Sequence, residues 1–392
     1  MPGLDHSFDI IVVGAGPVGL SFAASLAHSE LKLAVVEGQS LDRLASPAFD
    51  GREIALTHAS IGILRELGAW DVIRASDKSP LQGARVLNGS SPFALRFDSP
   101  GQSAEPLGVL VPNCRIRDAL FKIIRLQGHA RLLCGHSVVR ATNSRQGAVI
   151  TLSNGRQLTA RLLVAADSRF SATRNLLGIG ADINRLGNSM LICRVRHERP
   201  HNQIAIEWFD YHQTVAMLPL AEGVSSLLLT LPSNEADGLL ALDEELFLIE
   251  LTKRCRARLG KMSLASQRHI YPLVTTWAHR FRAPSAALIG DAAIGMHPVT
   301  AHGFNIGLGG QKHLARGIQT AWLERRDIAD PDMLHRYESR LRLSAAPLYH
   351  ATNILVRLYS SEHPAARLAR HVGLRLGHLP LVRHGIAAML RR

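Results

Sequence analysis

Six residues of strand composition, Phe8-Asp-Ile-Ile-Val-Val13, run directly into Gly14-Ala-Gly16-Pro17-Val-Gly19, and the small, mostly apolar stretch Leu20 to Ala27 follows at helical length. That order spells strand, tight turn, helix. Gly14 permits the sharp turn, Gly16 lets the backbone approach a pyrophosphate, and Gly19 lets helix and strand pack closely. The helix N-terminus adds N–H donors and the positive end of its dipole. A second apolar run, Lys32-Leu-Ala-Val-Val36, ends in Glu37, at the offset where a carboxylate holds ribose hydroxyls. That carboxylate would repel a 2′-phosphate, so the turn is expected to take the ADP half of FAD or NAD rather than NADP. With 392 residues, 46% hydrophobic and 20% charged, the chain has the balance of a large α/β protein and not of a disordered tail.

Downstream segments choose between the two dinucleotides. Ala286-Ala-Leu-Ile-Gly290-Asp291-Ala-Ala reads as a buried strand ending in Gly-Asp, followed by His297-Pro298 and by Gly303-Phe304-Asn305-Ile-Gly307. A carboxylate at a strand end can hold ribityl hydroxyls, and a helix N-terminus beyond it can direct N–H groups at a flavin N1 and C2 carbonyl, where reduction places negative charge. An NAD dehydrogenase needs neither. Arg161 to Arg174 is a third apolar strand leading to an acid, Asp167, and an arginine. FAD is therefore the expected cofactor.

Taken in order, these segments resemble the class A flavin-dependent monooxygenases of the para-hydroxybenzoate hydroxylase fold, and more narrowly the ubiquinone-biosynthesis hydroxylases. The glycine turn, Gly51-Arg52 ahead of Ala55-Leu-Thr57, Asp167, Tyr271-Pro-Leu273, Gly290-Asp291-Ala292 and the C-terminal helical stretch carry the likeness across nearly the whole chain. It implies an α/β fold: a Rossmann-like FAD-binding domain with an inserted β-sheet substrate domain and C-terminal helices. It further implies that Arg52 contacts the FAD pyrophosphate or ring, Asn113 the ribose side, Asp291 the ribityl chain, and Gly303, Phe304 and Asn305 the isoalloxazine edge. Asp167 belongs to a motif tied to FAD and nicotinamide handling, and Pro298 shapes the loop facing the flavin. The implied reaction inserts one oxygen atom of O2 into a prenylated phenol or quinone precursor by way of a flavin C4a-hydroperoxide, with NAD(P)H as an open choice of reductant. A hydroxylase of a soluble aromatic, or a reductase of isoprenoid double bonds, would use the same fold.

Within this resemblance His297 and His302 lie near the flavin. Either could assist deprotonation of a phenol near neutral pH, or merely pack in a glycine-rich loop. Three positions depart from the family: Asp167-Ser168 stands for Asp-Gly, Ala301-His302-Gly303 for Gly-Gln-Gly, and Ile294 for a histidine. The FAD-binding domain is expected to be discontinuous, over 1–75, 108–180 and 270–340. The substrate domain takes 76–107 and 181–269, with a helical segment over 341–392. Ala241 to Arg258 reads as one amphipathic helix backing the substrate sheet.

The formal net charge of +13 reflects arginine, and 343–392 holds arginines with Glu362 as its one carboxylate. Leu368, Val372 and Leu376, then Val382, Ile386 and Leu390, recur at helical spacing there, as core or as a face for anionic lipid or other quinone-biosynthesis proteins. Aromatic residues, at 5%, are not interleaved with basic runs, which argues against nucleic acid. Cys114, Cys134, Cys193 and Cys255 form no C-x-x-C pair, and no metal is expected. Neither a secretion signal nor a run of eighteen apolar residues is present, so the expected location is cytoplasmic, peripheral on the inner face of a membrane.

Overall fold

Apolar, β-branched strands that must be buried on both faces explain the first sheet. The computed structural model describes residues 6–91, 93–98, 105–210, 212–298 and 302–360. β1 (Ser7–Val13) and β2 (Leu33–Glu37) pair in parallel and are joined through α1 (Pro17–Ser25). On its other side β1 pairs in parallel with Gln157–Ala165, which pairs in parallel with Ala286–Leu288, while β2 pairs in parallel with Ala130–Cys134. Ile10, Ile11, Val12, Val35, Leu162 and Ala287 are fully buried in this sheet. Helix α1 covers it together with Asn113–Gln127 and Gly303–Leu323, both of which it contacts. Because the strands run the same way and Val13 is in register with Val36 and Ala165, and Ala165 with Leu288, their C-terminal ends share one edge. Ligands of open parallel sheets bind at that edge.

A nine-stranded, mostly antiparallel sheet forms a second body of structure. Its path runs from Ile294–Gly295 through His269–Ala278, Ala181–His197, Val224–Pro232, Gln213–Pro219 and Ile204–Asp210 to Gly83–Asn88 and Leu95–Asp98. One face, with Leu191, Cys193, Trp208, Val215 and Leu229, packs against Phe247 and Leu251 of a helical layer. A three-stranded sheet of Glu53–Leu56, Gly108–Pro112 and Ser79–Leu81 links the two bodies in sequence.

Several details differ from the sequence reading. The helix read over 241–258 is shorter, Glu244–Arg254: Ala241 ends the preceding helix, Ser233–Ala241, Leu242 is extended, and the Asp243 carboxylate accepts from the Leu246 N–H at 2.8 Å, capping the start. The strand His269–Ala278 pairs with Ala181–His197 in the nine-stranded sheet, so the line drawn at 270 separates residues that share a ladder. The line at 340 falls inside one helix, Pro331–Ser360. The stripes at Leu368–Leu376 and Val382–Leu390 lie outside the described residues. All four cysteines are free thiols. Among the described residues, no histidine, cysteine and carboxylate cluster could hold a metal, and no helix is long and apolar enough to cross a membrane.

Candidate cofactor and substrate site

The glycine turn is built by close backbone crossings. Gly14 N–H donates to Val36 O and Ala166 N–H to Val13 O, each at 2.8 Å, so the chain leaving β1 stays tied to both neighbouring strands at their C-terminal ends. Gly14 sits at φ +108°, and a Cβ there would lie 2.5 Å from Ala166 O. At Gly19 a Cβ would stand 2.1 Å from Gly14 O, whereas at Gly16 it would meet nothing within 4 Å. The three glycines thus divide their duties: two are forced by packing, and the third faces open space at the start of α1. Gly16 is the N-cap and makes no side-chain cap bond, and Pro17 follows at the first helical position. A pyrophosphate needs such an open backbone approach with N–H donors, so the turn fits the dinucleotide. Glu37 closes the end of β2 by accepting from Ala15 N–H at 2.7 Å and Gln39 N–H at 2.9 Å.

The other strand ends meet this turn. Ile289 N–H donates to Ala165 O at 2.9 Å, and Cβ atoms built on Gly290 and Gly307 would lie 3.2 and 3.1 Å from the Val18 side chain. Residues 18, 290 and 307 therefore pack on one another. Asp167 spends its carboxylate locally, accepting from the Ser171 hydroxyl and from Thr173 N–H and so starting the Ala172–Leu176 helix. Ser168 occupies φ +156°, a conformation suited to the glycine usual in the family. Arg169 donates through Nε and Nη2 to Asp291 Oδ2 at 3.1 and 2.8 Å and through Nη1 to Val274 O. Asp291 Oδ1 takes no hydrogen bond among the described residues. Arg174, fully buried, ties Arg169 O to Ala292 O through Nη1. Arg174 is the arginine that ended the third apolar segment in the sequence, whereas Arg169, two residues beyond Asp167, was not singled out there.

The two candidate histidines are both buried. Burial, and then the charge of Arg169, push His297 down to about 4, so it is a neutral imidazole at physiological pH and a weak base there. His302 occupies the N-cap of Gly303–Leu323 without a side-chain cap bond. Asn305 is a brace: its Oδ1 accepts from Thr57 N–H at 3.1 Å and its Nδ2 donates to Ala55 O at 2.9 Å, holding the helix start to the Glu53–Leu56 strand. Gly303 opens that helix, Phe304 is half-buried against the main core, and Pro298 is half-buried just ahead of 299–301. Ala301, one of the family departures, lies outside the described residues.

Between the two bodies, polar side chains form a compact network. Arg52 pairs with Asp50 through Nε and Nη2 at 3.0 and 2.6 Å, Asn113 Nδ2 donates to the same carboxylate oxygen at 2.8 Å, and the Tyr271 hydroxyl donates to Asp50 O at 2.7 Å. Burial raises the Asp50 carboxyl, but Arg52 and Asn113 outweigh it and hold it below its ordinary value. Next to this pair, the Glu53 side chain is completely buried and takes Arg194 Nε and Nη2 at 2.8 and 2.5 Å on one oxygen, leaving Oε2 without a partner among the described residues. Arg194 also lies 4.3 Å from the centre of the Phe49 ring, which meets His269 edge to face. Of this network only Arg52 and Asn113 were legible as site residues; Asp50, Glu53 and Arg194 were not.

Residues 7–352 match the FAD binding domain family. The ubiquinone hydroxylase UbiM of Neisseria meningitidis serogroup C is 43% identical over 95% of this chain and 82% of its own length. The ubiquinone hydroxylase UbiL of Rhodospirillum rubrum is 33% identical over 98% and 91%. Among solved structures, p-nitrophenol 4-monooxygenase PnpA from Pseudomonas putida superposes with a TM-score of 0.78 at 18% identity, covering 99% of each chain. That likeness shows the fold alone.

Proposed function

Since the chain belongs to the FAD binding domain family, we propose that it is an FAD-dependent monooxygenase that hydroxylates the ring of a prenylated phenol or quinone precursor in ubiquinone biosynthesis. The observation that carries this reading is the likeness, over nearly the whole chain, to two ubiquinone hydroxylases, in a protein whose strand ends converge on an open glycine turn.

FAD, when bound and reduced, supplies the activation of O2 that puts one oxygen atom on an electron-rich ring. The chain's own residues bind and orient. The Gly14–Gly19 turn and the start of α1 would hold the pyrophosphate, and Glu37 would take ribose hydroxyls. Arg52 would contact the pyrophosphate or the ring, Asn113 the ribose side, and Asp291, through its uncommitted Oδ1, would take a ribityl hydroxyl. The N-terminus of Gly303–Leu323 offers partial positive charge to a reduced ring, with Asn305 fixing where that helix begins. His297, held neutral, can hydrogen-bond without adding charge, and His302 stands at the helix start as the second candidate. NAD(P)H is the proposed reductant.

Labelled oxygen tests the reaction. FAD-loaded protein given a reductant, 18O2 and a prenylated phenol should yield a phenol carrying one labelled atom. An unlabelled product with a saturated isoprenoid double bond would replace the hydroxylase by a reductase, and preference for a non-prenylated phenol would move the substrate to the soluble class.

The finer proposal places the protein peripherally on an anionic membrane, where a prenylated guest resides; the net charge of +13 supports it. In flotation with liposomes, about one-third phosphatidylglycerol should carry the protein up at low salt and release it at about 0.5 M salt. Equal flotation with neutral liposomes would remove the electrostatic part of this reading.

A further inference from the structure

Strand register assigns each side chain of the nine-stranded sheet to one of two faces. On Ile204–Asp210, Ile206 and Trp208 pack toward the helical layer, so Glu207 projects from the opposite face. Pairing extends that position into a row across the sheet: Val86, Glu207, Ala216, Leu228, Ile192 and His269. Arg194 and Tyr271 stand on this same face and meet Glu53 and Asp50. It is the face turned toward the FAD-binding side of the molecule.

A carboxyl is out of place in such a row. Its ladder neighbours are Val86 and Ala216, and among the described residues no hydrogen bond or charge offsets its burial. Protein encloses Glu207, yet it keeps some accessible surface, as do Val86, Leu218 and Leu228. Burial alone pushes its carboxyl up to about 8, so at neutral pH it is mostly protonated and offers both a donor and an acceptor. A desolvated polar group without a partner is costly, and at a ligand site the ligand removes that cost.

We propose that Glu207 recognises the substrate: its carboxyl hydrogen-bonds a ring hydroxyl, and the guest's hydrocarbon tail lies on the apolar residues of the same sheet face. This rests on the hydroxylase reading above. It adds the group that distinguishes a free phenol from its ether.

The test uses FAD-loaded wild type, Glu207→Leu and Glu207→Gln, with ligand affinity read from the perturbation of the flavin absorption spectrum. The ligands are a short-chain 2-prenylphenol and its O-methyl ether. Wild type should bind the phenol about ten- to a hundredfold more tightly than the ether. Glu207→Leu should bind both alike, with the ether affinity unchanged, and Glu207→Gln should keep part of the preference. Retained FAD in each variant reports that the fold is intact. A Glu207→Leu protein that discriminates as well as wild type, or one that loses phenol and ether equally, overturns the assignment while leaving the hydroxylase reading standing. If neither ligand perturbs wild-type flavin, the hydroxylase reading falls, and the role of Glu207 falls with it.

Discussion

Gly16→Val should fold but remain colourless. The Cβ at this position meets nothing within 4 Å, and the backbone, at φ −67° and ψ 172°, is one a β-branched residue adopts readily. The cost to the FAD-free protein should stay within about 1 kcal/mol. What the valine fills is the space through which a pyrophosphate approaches the turn, so FAD affinity should fall by about a hundredfold or more. Gly19→Ala should behave oppositely. Its new methyl group would sit 2.1 Å from Gly14 O, forcing α1 away from β1 at a cost of about 3 kcal/mol or more, with or without cofactor. Thermal melting of FAD-stripped protein, followed by titration with FAD, separates the two. A Gly16→Val protein that holds FAD at wild-type affinity would take the turn out of the cofactor site.

The second large effect concerns the ion pair between the two bodies. Arg194→Ala leaves Glu53, its side chain completely buried, without the one cation that pairs with it among the described residues, and should cost about 3–5 kcal/mol. Burial holds the Glu53 carboxyl above its ordinary value even with Arg194 opposing it, and removing the arginine lets it rise further. For a group whose folded value is raised, stability is fully present below the unfolded value and is lost as pH climbs through the folded one. The deficit of Arg194→Ala should therefore be larger at pH 8 than at pH 5. Adding Glu53→Gln should recover part of it and flatten the dependence. Denaturant unfolding at the two pH values decides: a deficit independent of pH, or no recovery in the double variant, would show that Arg194 acts through packing on Phe49 instead.

How much of this was legible depends on how local each signal is. The glycine turn could be read because its strand, turn, helix and acid fit within some thirty residues, each with a distinct steric reason. Asp291 was recognisable as a strand-end carboxylate, but its partner Arg169 was not, since their pairing depends on two strands separated by more than a hundred residues lying side by side. Glu53 carried no local signal; the docking of the Ala181–His197 strand buries it against Arg194. Asn305 was read as part of the isoalloxazine edge, and its amide is occupied by Ala55 and Thr57, contacts that lie 250 and 248 positions away. The helix read over 241–258 exists but begins later, at Glu244, for a different reason: apolar residues continue back through Leu242, and only the capping geometry of Asp243 fixes the start.

The contact of Val18 with Gly290 and Gly307 has a consequence for synthesis. On the ribosome, the two glycines that complete the wall of the β1 turn arrive nearly three hundred residues after it. Such non-local closure is slow compared with local folding. The nascent chain must carry an unfinished crevice through that stretch of synthesis, and coenzyme capture must wait until Gly307 has emerged.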